Sequence, residues 1–163
     1  MIVVSDTTPL IGLATIGRFA LLQQLFGEIH IAQAVFDEAV TAGREEGGAK
    51  REVSAAAWVK IVPATDRLAV EVLLDELDLG EAETIVLARE LKADWVLMDE
   101  KKGRRKLSQL GISKIGTLGL LLKAKQSGLL SVIQPEVERL RQQGFSVSSS
   151  VVDVILTEAG EKN

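Results

Sequence analysis

The chain has 163 residues and a formal charge of −4, with 47% hydrophobic and 26% charged residues. That is the size and balance of one globular domain, long enough to bury a core without staples. There is no cysteine. Disulfides, thiolate nucleophiles and cysteine-ligated zinc or iron–sulfur sites are therefore excluded, and a reducing compartment fits.

The opening MIVVSDTTPLIG has no basic stretch, and Asp6 interrupts its apolar run, so no signal peptide is expected. No uncharged run approaches the ~18 residues of a membrane span. These features predict a cytoplasmic protein with no membrane contact. An acidic chain argues mildly against nucleic-acid binding, but the charge is segregated. Eight acids face two bases between Asp66 and Glu90, whereas five of the six residues at 101–106 are basic. A net-acidic chain can carry such a local basic footprint.

In chain order, residues 2–5 are a β-branched run that predicts a buried strand. Asp6-Thr7-Thr8-Pro9 then supplies capping residues and a first-turn proline for a helix to about residue 16. Helical pattern resumes over residues 19–26 after Gly17. A second strand is expected at 28–32, followed by a helix over 34–42, a charged loop over 43–48 and a helix over 49–57. Residues 58–62, stopped by Pro63, form the third strand candidate.

Helical periodicity returns over residues 66–77. Asp78-Leu79-Gly80-Glu81 resembles a capping box that opens a helix to about residue 91. Residues 94–98 read as a strand, 102–110 as a basic helix ended by Gly111, and 112–115 as a last short strand. Gly116-Thr117 starts a helix to 125, and two more helices fit 134–142 and 149–158. No internal repeat, linker or low-complexity tract is visible, so one domain is expected over residues 1–163. Strands that are continuous apolar runs and alternate with helices predict an α/β fold, a parallel sheet of about four to five strands with helices on both faces.

In such sheets ligands bind beyond the carboxyl ends of the strands. Asp6 ends the first strand, and Asp99-Glu100 ends the strand at 94–98. Glu38 lies one turn into the helix after the second strand, and Glu81 and Glu83 open the acidic helix. Parallel strands would bring these acids to one edge. Oxygen-only donors suit Mg²⁺ or Mn²⁺, and a cation would hold clustered carboxylates ionised. It could also activate water for displacement at phosphorus. The basic segment directly follows Asp99, which suits a polyanion.

Each acid also has a plain structural reading. Asp6 and Asp99 can be helix caps, Glu81 the third position of the capping box, and Glu38 and Glu83 solvated helix acids. Residues 101–106 can be a solvated helix start. His30 lies within a strand and reads as packed rather than catalytic. No GxSxG elbow, Walker spacing or GxGxxG is present. Aromatics are scarce and tyrosine is absent, so base stacking is expected to be a minor term. A phosphoacceptor role for a strand-end Asp is a further alternative, weakened by the lack of an acidic pair near Asp6.

Several stretches together resemble the PIN-domain family, in the form of a divergent VapC-like subgroup. They are Val4-Ser5-Asp6-Thr7-Thr8-Pro9-Leu10, Val35-Phe36-Asp37-Glu38, Leu79-Gly80-Glu81-Ala82-Glu83-Thr84-Ile85 and Val96-Leu97-Met98-Asp99-Glu100. Gly103-Arg104-Arg105, the Gly116-Thr117 pair with its apolar helix, Gly144-Phe145 and the final Ala159-Gly160-Glu161 continue the likeness. The resemblance implies a parallel-sheet fold, a Mg²⁺ or Mn²⁺ site and cleavage of RNA. It also implies a toxin role, a cognate antitoxin and a homodimer. The implied catalytic set is Asp6, Glu38, Glu81 and Asp99. Metal ligation falls to Asp6, Asp99 and Glu81, with Glu83, Glu100 and Thr7 as secondary candidates. Lys101, Lys102, Arg104 and Arg105 are the implied nucleic-acid contacts. Met98 stands where many members have Thr. The competing expectation is a non-enzymatic, partner-binding module of the same fold with a vestigial site.

Overall fold

Short apolar runs that alternate with helices can satisfy their backbone groups only by pairing side by side with both faces covered. The computed structural model describes residues 1–41 and 49–162 and shows that solution. Strands β1 (Val3–Ser5), β2 (Ile29–Ile31), β3 (Val59–Ile61), β4 (Trp95–Leu97) and β5 (Lys114–Ile115) form a five-stranded sheet in the order β3-β2-β1-β4-β5. Every pairing is parallel.

The helices α1 (Thr7–Thr15), α2 (Leu21–Phe26), α3 (Gln33–Phe36), α4 (Ala49–Ala55), α5 (Arg67–Leu73), α6 (Leu79–Leu91), α7 (Lys101–Gln109), α8 (Thr117–Gln126), α9 (Gln134–Gln142) and α10 (Ser149–Glu158) flank it. The core sits between these layers, around Leu10, Leu13, Ile29, Ile85, Leu97 and Leu120, all fully buried. Among the described residues no helix is long and apolar enough to cross a membrane.

The strand order fixes where a ligand belongs. From β1 the chain steps outward through β2 to β3. It then crosses back to the other side of β1 for β4 and continues to β5. The direction of winding therefore reverses between β1 and β4, and the crevice at such a switch point lies beyond the carboxyl ends of the strands. Val3, Val4 and Ser5 pair with Trp95, Val96 and Leu97, and Asp6 N–H donates to the Leu97 carbonyl at 2.9 Å. Asp6 and Asp99 thus leave neighbouring strands at the same edge.

Some elements differ from the sequence expectation. The helix expected over 34–42 is the short α3 followed by a π-helical turn over Asp37–Thr41, which carries Glu38. Such turns are rare and recur at functional sites. The charged loop expected at 43–48 lies outside the described residues. The helix expected over 66–77 stops at Leu73, because the chain must turn Leu77 into the core and place Asp78 as the cap of α6. His30 lies in β2, half-buried, with Nδ1 3.3 Å from the Val3 carbonyl oxygen.

The helically spaced Ile16, Phe19, Leu22, Leu25 and Phe26 are committed to the core. Ile16, Phe19 and Leu22 are buried, and Leu25 and Phe26 pack against the same cluster. On α10, Val152 and Leu156 are buried while Val151 and Val154 are 49% and 61% exposed.

At the end of β4, Met98 is fully buried, and a Cβ placed on Gly103 would sit 2.2 Å from its sulfur. A glycine in the first turn of α7 is thus the complement of a bulky Met98. Gly103→Ala is expected to destabilise the protein by about 1–3 kcal/mol in chemical denaturation, the cost of overpacking. Combined with Met98→Thr, its cost should fall well below the sum of the single changes. Additivity of the two would disprove the packing link.

Candidate active site

Asp6 occupies the N-cap position of α1 with extended backbone, yet its side chain makes no capping hydrogen bond to that helix's second or third amide. It is 4% exposed. Burial pushes its carboxyl up to about 7. The Thr7 backbone N–H offsets part of this, and the charges of Glu81, Asp78 and Glu38 add to it. A buried acid that declines the cap its position offers, among other acids, is difficult to explain as a structural cap.

The neighbouring acids converge on the amino end of α6. Thr7 Oγ1 donates to Glu38 Oε2 at 2.7 Å. A Cβ on Gly80 would lie 2.5 Å from Glu38 Oε1, so a glycine at the second position of α6 is what admits this carboxylate. Burial raises the Glu38 carboxyl, the Thr7 hydroxyl and Gly80 N–H oppose the rise, and Asp78 and Glu83 contribute repulsion. Glu81 completes the capping box read from the sequence. It donates its N–H to Asp78 Oδ1 at 2.8 Å and accepts from Asp78 N–H at 2.9 Å. Burial raises its carboxyl to about 7, and the charges of Asp78 and Glu100 press in the same direction.

Asp99 does not cap α7. Glu100 does so, accepting from Gly103 N–H at 2.9 Å. Asp99 instead reaches the first residue of α8, where Thr117 donates its N–H to Oδ1 at 2.8 Å and its hydroxyl to Oδ2 at 2.7 Å. Gly116 makes room, since a Cβ there would lie 2.9 Å from Oδ1. Burial raises the Asp99 carboxyl, against Thr117 and the nearby Arg104 guanidinium. Arg104 is itself fixed by donating to the Met98 carbonyl at 3.0 Å.

The two remaining acidic candidates have structural tasks. Glu83 is buried, accepts from Ala34 N–H at 2.9 Å and pairs with Arg67 at 2.9 Å. Glu100 is the α7 cap described above. Of the basic residues, Lys101, Lys102 and Arg105 are exposed on α7 and make no ion pair among the described residues, whereas Lys106 pairs with Glu76 at 3.1 Å.

The sequence model of one family, the PIN domain, matches residues 2–161. The chain is a PIN-domain protein. No curated protein matches it closely enough to be called a relative. PIN domains are generally nucleases and typically use divalent metal ions.

The donor set of this PIN domain suits such an ion in kind, being oxygen-only, buried and short of positive charge. Its arrangement is less complete. Among the described residues no three acidic or histidine side chains come together as a formed cation cage. Coulombic coupling joins Asp6 to Glu38, Glu81 and Asp78, while the charged neighbour of Asp99 is Arg104.

Sequence reasoning gave Asp78 only a capping role and gave Thr117 no role at all. Asp78 had a signal, since it adjoins two candidate acids. Thr117 had only the Gly116-Thr117 pair, whose link to Asp99 depends on β4 lying beside β5.

The raised Asp6 carboxyl sets a pH dependence. A folded state that holds its proton more tightly than the unfolded chain is favoured at low pH, so this contribution to stability is lost as pH rises from about 4 to about 7. Asp6→Asn should flatten that part of the curve in EDTA. At pH 8 it should stabilise the metal-free protein by about 0.5–2 kcal/mol, less than the full relief because the buried amide still lacks water. A variant that melts lower than wild type across this range would show that Asp6 serves the helix instead.

Proposed function

We propose that this protein is a metal-dependent endoribonuclease, the toxin of a cytoplasmic toxin–antitoxin pair. The observation that carries this reading is Asp6: buried, uncapping, and set among Glu38, Glu81 and Asp78 at the switch point of a parallel sheet whose next strand ends in Asp99. Asp6, Asp99 and Glu81 would hold Mg²⁺ or Mn²⁺, with the Thr7 hydroxyl in support. Bound there, the ion would supply positive charge to the phosphate and acidify water.

The chain's own groups do the rest. Thr7 fixes one Glu38 oxygen, and the raised basicity of that half-buried carboxylate suits it to take a proton from the attacking water. Arg104, tied to the Met98 carbonyl, places a fixed cation beside Asp99. Lys101, Lys102 and Arg105, without an ion pair among the described residues, offer their charge to the RNA backbone. Exposed Val151 and Val154 on α10, with Leu68 and Val72 on α5, supply apolar surface for an antitoxin or a second copy in a homodimer.

One observation favours a second reading. Glu81 is engaged in its capping box and Asp99 with Thr117, so two of the three ligands are already satisfied by the chain itself. A non-enzymatic, partner-binding module with a vestigial site would look like this.

Mn²⁺ separates the readings. In the nuclease, Mn²⁺ raises the melting temperature of wild type by mass action and that of Asp6→Asn much less, and the substitution abolishes RNA cleavage. A melt indifferent to Mn²⁺ supports the vestigial site.

A second prediction concerns the basic helix. Lys102→Glu with Arg105→Glu should weaken RNA binding and reduce the slope of log K against log salt by about 0.7 per lost phosphate contact, leaving Mn²⁺ stabilisation intact. An unchanged slope would assign these residues to ordinary solvated surface.

A further inference from the structure

Helix α5 turns one face to the core, with Val70 buried and Ala69 and Leu73 packed against the same cluster. A surface helix ordinarily carries polar side chains on its other face. Here Leu68 and Val72, one turn apart, are 73% and 65% exposed. Among the described residues no other large hydrophobic except Met1 is as exposed. Leu74 and Leu79, on the way into α6, are exposed as well. Apolar surface gathered on one element and rimmed by charge marks an interaction site.

The charge beside it says what kind of partner fits. Residues 66–79 hold five acids and one base. That base, Arg67, is engaged by Glu83 at 2.9 Å. Asp66 and Asp78 cap helices, and Glu76 pairs with Lys106 at 3.1 Å. Glu71 and Asp75 are exposed and make no ion pair among the described residues. Glu71 lies three positions after Leu68 and so borders it on the helix surface. Asp75 follows in the turn just beyond. Both acids stand at the carboxyl end of α5, whose last turn has no base. That end of a helix favours cations and disfavours acids. A partner that brings Lys or Arg would relieve this arrangement while it covers Leu68 and Val72.

We propose that the outward face of α5 docks a basic amphipathic helix of a partner protein. Its apolar side chains would lie on Leu68 and Val72, and its Lys or Arg residues beside Glu71 and Asp75. This deepens the toxin–antitoxin reading by giving the partner a chemistry and a place, and it rests on that reading only for the partner's role. The surface is tested by binding alone. A carboxylate site that ignores Mn²⁺ would leave it standing, and failure of the surface would leave the Mn²⁺ result unchanged.

The test is calorimetric titration at pH 7 with three synthetic peptides. The first sets Leu along one helical stripe and Lys on the rest, the second replaces each Lys by Glu, and the third scrambles the first so that no stripe remains. Wild type should bind the first about tenfold or more tightly than either of the others. Leu68→Ser with Val72→Ser should remove about tenfold of that affinity. Glu71→Lys with Asp75→Lys should weaken binding as strongly and flatten its dependence on salt. Val151→Ser with Val154→Ser, exposed on α10, should bind as wild type does.

These are surface positions, so the variants should melt close to wild type, and the Glu71→Lys pair at or slightly above it. Equal affinity for the three peptides, binding of the first that survives both α5 pairs, equal loss in the α10 pair, or no binding at millimolar concentration would overturn the proposal.

Discussion

The carboxylate of Asp6 is buried at the carboxyl end of the central strand, among other acids. Much of the nearby structure limits the cost of that charge without removing it. Its own helix contributes the Thr7 amide, and Thr7's hydroxyl turns to Glu38 instead. Among the basic residues of α7, Arg104 is held inward by the Met98 carbonyl, and it lies beside Asp99. The carboxyls of Asp6 and Glu81 consequently stand near 7 rather than in the ordinary carboxylate range.

Helix amino ends do the remaining work. Glu38 and Glu81 share the start of α6 with Asp78, and Asp99 lies at the start of α8. Free N–H groups and the partial positive charge of a helix terminus stabilise anions there, but the effect fades within a turn and is divided among the acids present. Glycine is what allows the approach. Gly80 and Gly116 each occupy a point where a Cβ would collide with a carboxylate oxygen, at 2.5 and 2.9 Å. The positions that look least chemical in the sequence therefore set how close the acids come to the backbone donors.

Much of this was legible in the sequence, and the limits of legibility have physical causes. Strands and most helices could be read because apolar runs and capping residues are local signals; the capping box of Asp78 and Glu81 formed as the spacing implies. The strand order could not be read, because an apolar strand carries no mark of its neighbour. Glu81 and Glu83 could not be ranked, since both fall in the first turns of one helix. Only the placement of α3 against α6 shows that Glu83 serves the Ala34 amide and Arg67. The choice between cap and site at Asp6 was likewise out of reach, because both readings put an acid at the same position and differ only in which way the side chain turns.

The same interactions bear on how the proposed chemistry would operate. A carboxylate with a raised pKa near neutrality is a poor permanent anion but a good exchange partner, since a proton, an intramolecular N–H and a cation compete for its oxygens on nearly equal terms. Glu81 already holds an amide of its own chain and Asp99 an amide and a hydroxyl, while Asp6 has only the amide of the next residue. The cheapest oxygens for an incoming cation to claim are therefore those of Asp6. Recruiting Asp99 would mean sharing oxygens that Thr117 now holds, and recruiting Glu81 would mean sharing the oxygen that the Asp78 N–H now holds. In the proposed site the capping interactions would thus set a threshold for assembly, and the strength of a cation's interaction with Asp6 would decide whether that threshold is crossed.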